Sequence, residues 1–101
     1  MSKIIDMKFN EEYIPLLEQG IKTCTTRRSL KGFTGDSFIV NGQKYEISSI
    51  ICHRLWYALQ YHDKEGFPSC RDFYEAIVKI YPDLNLDSEV YTYIFSKIQE
   101  V

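Results

Sequence analysis

Asn41-Gly42 constrains this chain more than any other dipeptide in it. Both central positions of a two-residue hairpin turn need positive φ, which Asn and Gly adopt at least cost, and the flanking segments 37–40 and 43–51 are rich in β-branched and aromatic residues. An antiparallel hairpin is expected there. Residues 90–95, Val-Tyr-Thr-Tyr-Ile-Phe, carry the same bias and outweigh Ser88 as a helix start. They predict a closing strand with Val90, Thr92 and Ile94 on one face and Tyr91, Tyr93 and Phe95 on the other. At the start of the chain, Ile5, Met7 and Phe9 alternate with Asp6 and Lys8, which predicts an opening strand with one buried face.

Helical signals fill the gaps. Asn10 is a candidate cap, Glu11 and Glu12 suit a helix N-terminus, and Ile14, Leu16 and Leu17 can face inward. Pro15 is tolerated only in the first turn, so the regular helix is expected to begin near Glu12 or Tyr13 and to end at Gly20. A second helix is expected over 55–61, where Leu55, Ala58 and Leu59 share a face before the polar break that ends at Gly66. Ser69 with Asp72 resembles a capping box for a third helix, with Phe73, Ala76, Ile77 and Ile80 as its apolar stripe and Pro82 beyond its end. The order is mixed α+β, and 101 residues suit one domain spanning 1–101.

Twelve Lys and Arg against fourteen Asp and Glu leave a net charge of -2, so no whole-molecule field draws this chain to polyanions. Any anion binding must be local. Lys22, Arg27, Arg28 and Lys31 supply four cations with no acid between Gly20 and Gly35, a set that reads either as a ligand-binding loop or as a solvated face. Cys24, Cys52 and Cys70 are an odd count without a C-x-x-C pair, which points to reduced thiols. Cys52-His53, His62 and Cys70 match no common zinc spacing, so neither a metal nor a cofactor is expected. An early acid, Asp6, and the lack of any apolar run of about 18 residues fit a cytoplasmic protein with no membrane association.

The stretch from Gly20 through Arg28 crowds three cations and three hydroxyls behind a helix end. Its G-x-K-x-x-T-x-R pattern, carried by Gly20, Lys22, Thr25 and Arg27, resembles the signature of the ASCH domain family, whose fold is similar to the PUA RNA-binding domain. Further landmarks follow in order. Gly35-Asp36 falls where that family opens a strand, Glu65-Gly66-Phe67 where it often has the same triplet, and 87–95 resembles its closing strand. The resemblance implies a PUA-like β-barrel of mixed strands with flanking helices.

Lys22 and Thr25 are three apart, which on a regular strand would point them to opposite faces. They meet only if the backbone bends between them. In a dry pocket, burial and the Arg27 charge would favour a neutral Lys22 amine able to take the Thr25 hydroxyl proton. Some small ASCH-like proteins are amidohydrolases that remove acetyl from acetylcytidine, and their functional Lys, Thr and Glu match Lys22, Thr25 and Glu65. The resemblance thus implies Lys22 as base, Thr25 as nucleophile and Glu65 as a positioning or proton-shuttling group. Arg27 offers a planar fork for phosphate or carboxylate, with Arg28 and Lys31 adding less specific attraction.

Three readings stand at this point. The leading one is recognition of RNA or a modified nucleoside in a cleft between loop 22–28 and the Glu65 loop. The second is amide hydrolysis of an acylated nucleoside in the same cleft, and the third is a protein-interaction module. Thr23 and Thr26 read as strand or turn residues, Cys24 as a small buried filler, and His53 and His62 as structural. Trp56, Tyr57, Tyr61 and Phe67 are candidates to stack on a base, with core packing the default for Trp56.

Overall fold

The computed structural model describes residues 2–99. Four antiparallel strands, β1 Cys24–Arg27, β2 Ser37–Val40, β3 Gln43–Arg54 and β4 Glu89–Lys97, form one sheet in the order β1-β4-β3-β2. The sheet curls into a half-barrel beside three helices, α1 Ile14–Glu18, α2 Leu55–Ala58 and α3 Cys70–Ile80. This is the α+β, PUA-like architecture expected.

The hairpin forms as anticipated, with Asn41 at φ 50° and Gly42 at φ 79°. β4 is also a strand as expected, and both of its faces bury side chains. It lies centrally between β1 and β3, so Val90, Thr92, Tyr93 and Phe95 are all buried. Ser69 caps α3, its hydroxyl accepting from the Asp72 amide and donating to the Asp72 carboxylate.

Two expectations need correction. The opening segment keeps its alternation, with Met7 buried and Asp6 and Lys8 exposed, yet it makes only a single parallel bridge, Ile4 to Ser37, and no strand. The bridge is made by Ile5 N–H donating to the Ser37 carbonyl and Ser37 N–H donating to the Lys3 carbonyl; elsewhere Lys3 N–H donates to Asp36 Oδ1 and the Lys8 carbonyl accepts from Arg27. At the first helix, Glu11–Tyr13 form a 3-10 turn and regular helix starts only at Ile14, with no side-chain bond from Asn10.

Two apolar clusters result. Met7, Leu17, Phe38, Val40, Tyr45, Ile47, Tyr93 and Phe95 fill the curl of the sheet. Leu55, Ala58, Phe73, Ile77, Leu84 and Val90 join α2 and α3 to the far end of β4. Among the described residues, no helix is long and apolar enough to cross a membrane.

Candidate functional site

The bend that Lys22 needs is supplied by the end of α1. Gly20 takes φ 77°, and the Leu16 carbonyl accepts from the amides of both Ile21 and Lys22 at 3.0 Å. Lys22 therefore enters the site before β1 begins, and the opposite-face rule for strands does not govern its relation to Thr25. Glu65 arrives on a loop stitched to the same place. The Lys64 carbonyl accepts from Thr23 N–H at 2.8 Å and Cys24 N–H at 3.3 Å. Gly66, at φ 93°, lies against α1 so closely that a Cβ there would approach Leu16 Cδ1 to 2.9 Å.

These segments converge on a cavity of about 110 Å³ lined by Lys22, Thr25, Thr26, Arg27 and Glu65. That is several times the space one water needs. Its remaining wall is largely apolar and aromatic, with Phe9, Tyr13, Phe67, Phe73 and Tyr81 among the lining side chains. The polar groups are removed from solvent: Lys22 is 4% exposed, Thr25 5%, Thr26 7% and Glu65 2%.

Lys22 Nζ donates to Glu65 Oε1 at 2.8 Å and to the Glu65 carbonyl at 3.1 Å, and it lies 5.4 Å from the centre of the Tyr13 ring. The other carboxylate oxygen, Oε2, accepts from the Thr26 hydroxyl at 2.5 Å. Behind Thr26, the Thr92 hydroxyl is 2.9 Å away, and His53 Nε2 lies 2.7 Å from Thr92 Oγ1. Arg27 Nε donates to Thr25 Oγ1 at 3.1 Å while a second guanidinium nitrogen donates to the Lys8 carbonyl at 2.7 Å. Its plane sits over Phe9, 4.9 Å from the ring centre.

Arg27 has no carboxylate partner among the described residues, although burial lowers its pKa. A half-buried cation left without a counter-ion is an attractive surface for an anion or a developing negative charge. It also lines a second cleft with Asp6, Lys8, Ser29, Lys31 and Tyr81. Cys24 is wholly buried, and burial, aided by the Glu65 charge, pushes its thiol far above the usual range. It is a packing residue.

The candidates read from the sequence thus separate. Lys22, Thr25, Glu65 and Arg27 share the cavity, Lys31 lies at the second cleft, and Arg28 lines neither, its guanidinium pairing with Asp83 at the surface. Trp56 is 53% exposed and does not line the cavity, so it is neither core nor a stacking platform there. Thr26, Thr92 and His53 join the site's hydrogen bonds without having been singled out for it. Thr26 shows only as a strand threonine, and its partner 66 positions away is defined by the register of β1 on β4, which no local pattern displays. No three His, Cys, Asp or Glu side chains cluster as a metal would require among the described residues.

No family sequence model and no curated protein sequence matches the chain. Solved structures do. The crystal structure of the hypothetical protein PH0355 is 21% identical with a TM-score of 0.73, the match covering 97% of this chain and all of that one. An ASCH domain from Lactobacillus crispatus JV V101 is 15% identical with a TM-score of 0.65, covering 95% of this chain and 79% of the other. An S128A mutant of ZmASCH from Zymomonas mobilis is 11% identical with a TM-score of 0.64, covering 98% and 71%. With the half-barrel, its helices and these likenesses together, the chain has the ASCH-domain fold.

Proposed function

We propose that the chain is an amidohydrolase that removes a small acyl group from the exocyclic amine of a nucleoside-type substrate. The observation that carries this reading is the convergence of buried Lys22, Thr25 and Glu65 on one aromatic-walled cavity, with Lys22 held on Glu65 at 2.8 Å. Such walls suit a planar heterocycle. Arg27 Nε occupies an acceptor site of the Thr25 oxygen, which leaves the hydroxyl proton free to be given away.

Lys22 and Thr25 line the same cavity without a direct hydrogen bond between them, and the proposed chemistry brings them together through the substrate or one water. Glu65 Oε1 takes a proton from Lys22, leaving a neutral amine that accepts the Thr25 hydroxyl proton as Oγ1 attacks the acyl carbon. Arg27 offsets charge that develops near Thr25. Collapse breaks the C–N bond, the proton held by Lys22 passes to the departing amine, and an acyl ester remains on Thr25. Water, deprotonated by Lys22, hydrolyses that ester and releases the carboxylic acid.

The test is turnover of acetylcytidine, followed by release of acetate. Thr25→Ala is expected to lower kcat by about 100-fold or more with the fold intact, in keeping with loss of a nucleophile. A wild-type protein that yields no acetate refutes the reading. A second reading, capture of a nucleoside or an unstacked RNA base without turnover, is favoured by Arg27, which has no carboxylate partner among the described residues and lies beside two clefts. It predicts salt-sensitive binding and no product.

A further inference from the structure

The cross-strand row behind the cavity has a single hydrogen-bond polarity. Thr26 on β1 lies directly opposite Thr92 on β4, and Thr92 in turn is opposite Ile51 on β3, whose same-face neighbour two residues on is His53. A carboxylate only accepts, so the Thr26 hydroxyl proton is committed to Glu65 Oε2. Having one proton, Thr26 can only accept from Thr92 at 2.9 Å. Thr92 has then used its own, and His53 Nε2 must donate to it at 2.7 Å. Nε2 therefore carries a proton, and in the neutral imidazole Nδ1 is left a bare lone pair. That atom is indeed buried with no hydrogen-bond partner among the described residues.

We propose that His53 and Thr92 are positioning residues of the site, acting on the Glu65 carboxylate through Thr26. The row holds Oε2 while Oε1 exchanges its proton with Lys22, so the carboxylate cannot rotate away between the two halves of a catalytic cycle. It also couples His53 electrically to Glu65: an imidazolium at the far end strengthens each donation toward Oε2 and favours the charged carboxylate. Around His53 stand the Tyr57 and Tyr61 rings, 5.8 and 5.9 Å away, and Thr92. Cys52 and Arg54 flank it on β3, and Glu89 pairs with Arg54 on β4. No carboxylate forms an ion pair with His53 among the described residues. Burial holds its pKa below the usual value.

The kinetic part of this proposal rests on the hydrolase reading, so one measurement is chosen that needs no substrate. The titration of His53 is followed by NMR in the wild type, Glu65→Gln, Thr92→Val and the double variant, with His53→Asn assigning the signal. Loss of the Glu65 charge is expected to move the His53 midpoint to lower pH, and the move should shrink by half or more when Thr92 can no longer bridge. An equal shift in both backgrounds overturns the relay. In the turnover assay, Thr92→Val is expected to lower kcat about tenfold, as loss of an orienting partner does, with KM changed less than twofold and the acidic limb of the pH profile displaced. Thr92→Ser, which restores the hydroxyl, should recover most of that loss. An unchanged kcat and pH profile in Thr92→Val overturns the positioning role. If the wild type turns over no acylated amine, the hydrolase reading falls by itself and the NMR comparison alone decides the relay.

Discussion

Removing one member of the Lys22–Glu65 pair should cost far more than removing both. Their side chains are 4% and 3% exposed, so solvent screens neither charge. In Glu65→Ala, Lys22 retains only the backbone carbonyl of residue 65 and the face of Tyr13, and an uncompensated buried charge of this kind costs about 3–5 kcal/mol. That is a large share of the roughly 5–15 kcal/mol stability of a domain this size. Lys22→Met strands the Glu65 carboxylate on Thr26 alone and should cost a similar amount. The double variant Lys22→Met with Glu65→Leu exchanges the pair for apolar groups of comparable volume, which is often neutral or stabilising by about 1–4 kcal/mol. Urea unfolding at low temperature gives the four free energies from midpoints and slopes. By melting, each single variant should lose roughly 12 °C or more, at about 4–8 °C per kcal/mol for a chain of this length. A double variant whose loss equals the sum of the single losses would refute the argument, because additivity marks side chains that do not share a charge problem. Recovery of stability without recovery of turnover would show the pair to be retained for chemistry.

Arg27→Ala should weaken nucleoside or RNA binding several-fold and reduce its salt dependence, measured by titration at two ionic strengths. Arg28→Ala should leave binding nearly unchanged and cost at most about 1 kcal/mol, since its partnership with Asp83 is exposed. His53 has a folded pKa depressed from 6.5, so the unfolded chain binds more protons between the two values and stability should rise with pH through that window. Acidification below about 6.5 should therefore lower the melting temperature, and His53→Gln should flatten that slope. Gly42→Val should destabilise the chain by about 1 kcal/mol or more, read by urea unfolding, because the hairpin turn holds that residue at φ 79°.

Local chemistry made much of the fold legible. Asn41-Gly42, the Ser69 cap and the β-branched run at 90–95 each describe their own conformation within a few residues, and each forms as read. Ile5, Met7 and Phe9 misled because alternation reports which side chains are buried, not whether a neighbouring strand is available for the backbone. The site divides in the same way. Lys22, Thr25 and Arg27 stand close together in sequence, and a resemblance added Glu65. Thr92 and His53 reach the carboxylate only through strand register, and Arg28, adjacent to Arg27 in the chain, leaves the cavity because it lies just past the end of β1 and turns to Asp83, 55 positions away.

The cavity lies on the seam between the two apolar clusters. Phe9 packs against the cluster inside the curl, whereas Phe73 and Ile77 belong to the one under α3, and all three face the same space. A molecule seated there acts as a mortar joint between the two. Amide exchange should therefore slow together in β1 and α3 on saturation, even though α3 supplies only apolar wall, and the gain should grow with the logarithm of ligand concentration.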